Sequence, residues 1–426
     1  MHKISGYFIF LSVVVTLYAY FFEPSYLGYS GLLLWISFFI LFISLTKKKM
    51  IVILFCLSMI AFSISYINNY HIDFSKILSI NQYLITLLIA VSFLRLVTIS
   101  QSQTTKSISR GKESFLKTYL SVFLFSSVIN ISSLILIADE LYKKKSLSTL
   151  QIILLSRSFS SNAYWSPFFV SFAAASTYAP NLNTFIIYFI GIILSIIVFT
   201  MTYFETIKDK SLKIDDFKGY PLSVDNLILP SLLAFVVLFT HYLYPHSKII
   251  MLISLFALLF SFGFSLIKDG LITMIRKHAT YISEELPKMK GEISLFLVAG
   301  MFGVSISSIL LGLNIVLPLD NFDWMSASFL LLVFIVLGFV GIHPIISVAI
   351  ISDYISQVNN TLFAVTFLMS WATTVSTSPF SGLNLTMVSK YQINPQKVFQ
   401  VNIIYSIKIY FVSVFLLYLL SNYLNL

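Results

Sequence analysis

Charge is what this chain has least of. Asp, Glu, Lys and Arg make up 10% of its 426 residues, against about 25% in a soluble domain. With 58% hydrophobic residues and a mean hydropathy of +0.91, there is more apolar sequence than a soluble core could absorb. The chain reads as a polytopic membrane protein. Cysteine is nearly absent. The single Cys56 excludes an intramolecular disulfide and any cysteine-based metal site. Within its apolar run it reads as a small buried residue. Metal-ligand spacings, phosphate-binding loops, nucleophile elbows, low-complexity tracts and soluble domains are lacking too. His71 and Asp73, in the outer segment 68–80, have no partner set and read as a solvated loop. Acidic residues number 17 against 27 Lys and Arg. The net charge of +10 is read as membrane topology rather than nucleic-acid binding. The first apolar run, Gly6 to Phe22, ends in FFEPSY without a small-residue cleavage site, so it is expected to be a signal anchor.

A full span needs about 20 apolar residues. Spans are expected at 6–22, 27–45, 50–67, 81–99, 184–204, 226–244, 247–267, 293–316 and 401–422. Two further runs, 149–178 and 361–389, share a polar Ser-Pro-Phe core, at Ser166 to Phe168 and Ser378 to Phe380, 212 residues apart. Both read as broken helices, which makes eleven crossings. Two runs remain, 114–142 and 326–356. A straight helix of their length would be about 45 Å long, against a hydrocarbon core of about 30 Å. Their centres, SSVINISS and GFVGIHPIIS, weaken a helix. Each is expected to be a re-entrant hairpin, allowed where protein or a wet cavity satisfies the backbone.

The basic residues fit this count. With the N-terminus cytoplasmic and both hairpins crossing nothing, the inner segments carry Lys3, Lys47 to Lys49, Lys106, Arg110, Lys112 and Lys143 to Lys145. Further inner groups are Lys208 to Lys218, Lys268 to Lys290, Lys390 and Lys397. The outer segments carry only Lys76 and Lys248, and the C-terminus lies outside. Arg95, near an inner helix end, is expected to snorkel. The expected fold is thus all-α, with an extra span (1–26), one repeat at 27–204, a cytoplasmic linker at 205–225, and an inverted repeat at 226–426. Asp139 and Asp353 end the two hairpins, 27 and 25 residues before Ser166 and Ser378. The segment 268–292 is expected to hold an interfacial helix, with His278 a structural residue at its polar surface.

Inverted repeats with broken helices point to a transporter site near mid-membrane. A break frees N–H groups that favour anions and carbonyls that suit Na⁺. Pro167 and Pro379 are expected at the first turn of each restarted helix. Four polar clusters should meet. They are Asn130, Ser132 and Ser133; Ser160, Ser161, Asn162 and Ser166; His343 and Ser347; and Thr373, Thr374, Ser376, Thr377 and Ser378. Asn130, Ser132, Asn162, Ser376 and Thr377 are the candidate Na⁺ ligands. Each Ser or Thr taken singly reads equally as a packing residue bonded to its own helix. Arg157 lies near mid-depth and must be paired, with a substrate carboxylate or with Asp139 or Glu140. His343 is a proton-coupling group, a donor to substrate, or a structural histidine.

With its eleven spans, inverted halves, hairpins and breaks, the chain resembles the ion transporter superfamily, and within it the divalent anion:sodium symporters. That family places Ser-Asn-Thr motifs at its hairpin tips, with further polar residues in the breaks. Here the tips read Asn130, Ser132, Ser133 and Gly341, Ile342, His343, Pro344, and the breaks Ser161, Asn162, Ala163 and Ser376, Thr377, Ser378. The resemblance implies a secondary transporter of a small organic or inorganic anion, coupled to Na⁺ or H⁺, working by an elevator movement in the cell membrane against a scaffold that often dimerises. Two other classes stand beside it. A membrane enzyme acting on lipid-linked sugars predicts a large outer loop rich in Arg, His or acids. An assembly factor predicts that the hairpins are ordinary spans.

Overall fold

The computed structural model describes residues 2–45, 48–98, 110–143, 146–220, 225–315, 322–355 and 358–426. Lys47, Lys106, Lys144 and Lys145 lie outside them, as do 221–224 of the expected linker and the expected element ends at 99, 316 and 356. Among the described residues the structure is helical, with no strand and one isolated bridge between Arg110 and Lys218. In chain order the helices are α1 His2–Phe21, α2 Leu27–Phe42, α3 Lys48–Ile67, α4 Phe74–Ser79, α5 Gln82–Ser92, α6 Arg95–Thr98, α7 Gly111–Ile129, α8 Ile131–Tyr142, α9 Thr149–Ser160, α10 Val170–Tyr178 and α11 Thr184–Lys208. They continue with α12 Asp225–Leu243, α13 Ile249–Asp269, α14 Leu271–Thr280, α15 Lys290–Gly312, α16 Trp324–Phe339, α17 Pro344–Ile350, α18 Ser352–Ile355, α19 Asn360–Thr377, α20 Gly382–Tyr391 and α21 Pro395–Tyr423. Eight helical stretches among the described residues are long and apolar enough to cross a membrane, by length and composition. The chain is an all-α membrane protein.

The helices gather into two compact units that cut across the expected repeats. The first holds 1–100, 233–317 and 345–354; the second holds 101–232, 318–344 and 355–426. In the first unit, α1 packs along α2, α15 along α3 and α13 along α5. The fit between α2 and α4 depends on Gly31, where a Cβ would lie 2.0 Å from the Leu78 carbonyl oxygen. Segment 268–292 holds a helix, α14, where an interfacial helix is expected. The α14 residues Leu271, Ile272 and Ile275 are exposed, and the helix continues through Tyr281–Glu285 and Leu286–Met289 into α15. His278, however, is buried rather than superficial. It stacks on Phe262 at 4.0 Å and bonds Ser261 Oγ through Nε2. The turn at Gly270 folds α14 back on α13, which sequence flanked by polar residues does not reveal. Cys56 corrects the opposite way: it is exposed. The outer face of a membrane helix is as apolar as its inner one, so an apolar run does not imply burial. Asp73 is exposed and caps α4 by accepting from Lys76 N–H.

The second unit is built around α9 and α19, helices rich in Ser and Thr with nearly every residue buried. Polar side chains on membrane helices face the protein interior because lipid cannot hydrogen-bond them. A capping box starts α9: Ser148 Oγ accepts from Gln151 N–H and Gln151 Oε1 from Ser148 N–H. Asn359 Oδ1 starts α19 by accepting from Thr361 and Leu362. The first expected hairpin is a packed pair, α7 and α8, reversing at Asn130. Ser126 Oγ and Ser133 Oγ lie 2.8 Å apart, whereas seven residues of straight helix would separate them by about 10 Å. The second departs from this pattern. It breaks at the expected GIHP, but α16 belongs to the second unit and Ile345–Tyr354 to the first. There its second arm is two short helices. Ala349 packs on Gly303, and the Asp353 carboxylate pairs with Lys76 and accepts from Ser307 Oγ.

Candidate functional site

Both breaks are made by the same local structure. After α9 the chain winds through a tight turn at Ser161–Tyr164, and the Ser166 N–H donates to Asn162 O at 2.9 Å. At the end of α19 the Ser378 N–H donates to Thr374 O at 2.8 Å. Each serine then opens a β-turn with proline second. Phe169 N–H donates to Ser166 O, and Ser381 N–H to Ser378 O, both at 3.1 Å. The prolines therefore stand inside the turn, and α10 and α20 restart three residues after Pro167 and Pro379, not at them. A proline needs no N–H in either place, so sequence alone could not choose between them.

The serine hydroxyls match as well. Ser166 Oγ accepts from Phe168 N–H at 3.3 Å and Ser378 Oγ from Phe380 N–H at 3.2 Å. Ser166 Oγ donates to the Ser127 carbonyl, and Ser378 Oγ to the Gly338 carbonyl. Three residues after each accepting carbonyl the chain reverses at a positive φ, +55° at Asn130 and +100° at Gly341. Asn130 Nδ2 donates to Phe168 O at 2.8 Å, while a Cβ at Gly341 would lie 3.2 Å from the Phe380 ring. Asn130, with ψ −141°, occupies a region that favours glycine. Asn130→Ala keeps that strain and loses the bond, so it is expected to cost about 2 kcal/mol. Asn130→Gly loses the bond but relieves strain and should stay within about 1 kcal/mol of the native chain. Thermal unfolding in detergent, ranking Gly above Ala, checks this.

Most of the remaining hydroxyls bond their own helix. Ser160, Ser161, Thr373 and Ser376 donate to carbonyls three or four residues back. Ser133 donates to Asn130 O, and Thr377 Oγ1 bonds Ser406 Oγ. Ser132 is half-buried. His343 stands edge-on to Trp371, with ring centroids 5.0 Å apart. Ser347 falls in the first unit, its Oγ buried with no hydrogen-bond partner among the described residues. Among the candidates in the second unit, two oxygens differ from the rest. Asn162 Oδ1 and Thr374 Oγ1 are buried with no hydrogen-bond partner. They stand at equivalent positions, four residues before Ser166 and Ser378. Asn384 Oδ1 is another such oxygen, as are the hydroxyls of Tyr119, Tyr164, Tyr188, Thr202 and Ser413 in the same unit, and Asn384 Nδ2 meanwhile donates to Ser378 O at 2.9 Å.

Arg157 is fully buried and fully engaged. Its guanidinium pairs with Glu205 at 2.9 and 3.4 Å, donates to Asn402 Oδ1 at 2.9 Å and Val401 O at 3.0 Å, and lies 4.3 Å over the Tyr405 ring. Its partner is therefore neither Asp139, which meets Tyr391 and Lys390, nor Glu140, which meets Lys143. Asn402 also donates to Ser156 Oγ and to Ser376 O, tying α9 to α19. Glu205 was placed in the linker because hydropathy falls there, yet α11 runs on to Lys208. The signal for Asn402 was an amide at the eighth position of an apolar helix.

Among the described residues no three His, Cys, Asp or Glu side chains cluster to hold a metal. The unpartnered side-chain oxygens at the breaks, Asn162 Oδ1 and Thr374 Oγ1, are neutral. Compared with protein-family models and with curated proteins, the chain matches none.

Proposed function

We propose that this protein is a secondary transporter of a small anion, coupled to Na⁺ or H⁺, rather than an enzyme or an assembly factor. The observation that carries this reading is the matched pair of breaks, each with a buried, unpartnered oxygen four residues before its serine. A buried unpaired polar atom costs about 1–3 kcal/mol, and two at equivalent places invite a ligand that pairs them. Neutral oxygens at helix breaks are ion ligands, and the restarted N-termini of α10 and α20 favour an anion. Arg157 is spoken for by Glu205, so the anion is held by backbone donors and hydroxyls.

The grouping of the chain supports an elevator movement. The second unit takes the later part of each half except 345–354 and holds both breaks; the first takes the earlier part of each half together with 345–354. That is the division a carrier needs between a moving body and a scaffold. Eleven crossings follow when α12 and the two broken helices join the eight long stretches, with α7–α8 and α16–α18 re-entrant. An odd count sets the termini on opposite sides, and the distribution of Lys and Arg favours a cytoplasmic N-terminus and an outer C-terminus. The scaffold would be the surface for a homodimer.

Thr374→Val tests the reading. It removes an unpaired hydroxyl from an isosteric side chain, so the fold should hold or gain about 1 kcal/mol. Uptake of a panel of small carboxylate and inorganic anions into proteoliposomes, driven by imposed Na⁺ or pH gradients, should fall at least tenfold, as it should in Asn162→Ala. Native uptake rates in both variants would sink the site.

A further inference from the structure

At the end of α11 an open cleft of about 440 Å³ is lined by Met201, Phe204, Glu205, Lys208, Asp209 and Lys408. Lys408 is the unusual member. It lies thirteen residues into α21, on an exposed stripe with Ile404, Phe411 and Phe415. A stripe of that kind faces lipid, where an unpaired ammonium costs several kcal/mol. Neither Lys208 nor Lys408 has a hydrogen-bond or ion-pair partner among the described residues. Both acids of the cleft are already engaged: Glu205 by Arg157, and Asp209 by the Ser211 N–H and hydroxyl at 2.9 and 2.6 Å.

We propose that this cleft binds one anionic phospholipid, its phosphate between Lys208 and Lys408 and an acyl chain against Met201 and Phe204. Lys208 ends α11, where the apolar run leaves the bilayer, so the cleft lies at headgroup level although Lys408 is deep within its own helix. Two free ammonium groups beside an apolar floor match the phosphate and an acyl chain of such a lipid, and a headgroup without a cation of its own leaves the phosphate charge to the two lysines. The lipid would touch Glu205 and through it Arg157.

The test is native mass spectrometry of the protein released from micelles doped with phosphatidylglycerol or phosphatidylcholine. The native chain should retain phosphatidylglycerol selectively. Lys208→Gln with Lys408→Gln should weaken retention on the order of thirtyfold, from about one kcal/mol per lysine. Lys143→Gln, whose lysine meets Glu140 elsewhere, should not. Equal retention of both lipids by the native chain overturns the proposal without any variant. So does unchanged retention in the double variant, or full displacement by millimolar glycerol phosphate, which would mark a small-anion site.

Discussion

Glu205→Ala is expected to lower stability by about 3 kcal/mol, seen as a fall in unfolding temperature in detergent. Arg157 has no exposed surface, and among the described residues Glu205 is the one formal countercharge it meets. Removing one member of a buried pair leaves the other charged and unsolvated, at a typical cost of 3–5 kcal/mol. The lower end applies because the Glu205 side chain is 32% exposed and water can enter where it stood. Glu205→Gln keeps a hydrogen-bond acceptor and should cost less. Arg157→Met combined with Glu205→Gln should return most of the loss, since an uncharged pair of similar volume replaces an ion pair and leaves no buried charge unpaired. An arginine kept for substrate gives a different outcome. Glu205→Ala would then leave the unfolding temperature unmoved and change anion affinity.

Asn402→Leu should be of similar size. The volume is kept, but Arg157 Nε loses its acceptor, and Ser156 Oγ and the Ser376 carbonyl lose a donor. Partly satisfied buried networks cost more than their bonds taken singly, and about 3 kcal/mol is expected. Glu205 and Asn402 hold the same guanidinium. Their double variant should fall short of the summed losses by about 1–2 kcal/mol in a double-mutant cycle, and additivity would show that they act separately. Transport should fall further than stability, because Asn402 fixes α9, which leads to one break, against the carbonyl of Ser376 at the other.

Local backbone features were the legible ones. Ser-Pro-Phe marked both breaks because a proline within an apolar run removes a helix hydrogen bond and a small hydroxyl residue beside it offers the backbone another partner. Asn130 and the Gly341 of GIHP marked both reversals because they tolerate the positive φ that a reversal needs. The features missed depend on partners far along the chain. Arg157 announced a need for a countercharge, but nothing in its surroundings names a residue 48 positions later. The burial of His278, the exposure of Cys56 and the separation of Ile345–Tyr354 from α16 all turn on which helix face meets another helix, and uniform apolarity carries no such information. The symmetry of the two breaks was visible only as a repeated tripeptide. Its deeper content, the same hydroxyl reaching the same kind of carbonyl, belongs to the backbone and has little sequence signature.

The interleaving of the two units bears on how the chain is made. The path passes from one unit to the other near residues 100, 232, 317, 344 and 354. A ribosome releasing the chain from its N-terminus cannot complete the first unit before about residue 354, nor the second before the end. Until then α1 to α5, and later α7 to α11, wait in the bilayer with buried-type hydroxyls and half an ion-pair network uncovered. Contacts that close over hundreds of residues form slowly, and species waiting in this way are those that misassemble. Insertion is therefore separated in time from assembly, and the late arrival of α19 and α21 is the step that converts a row of inserted helices into a folded protein.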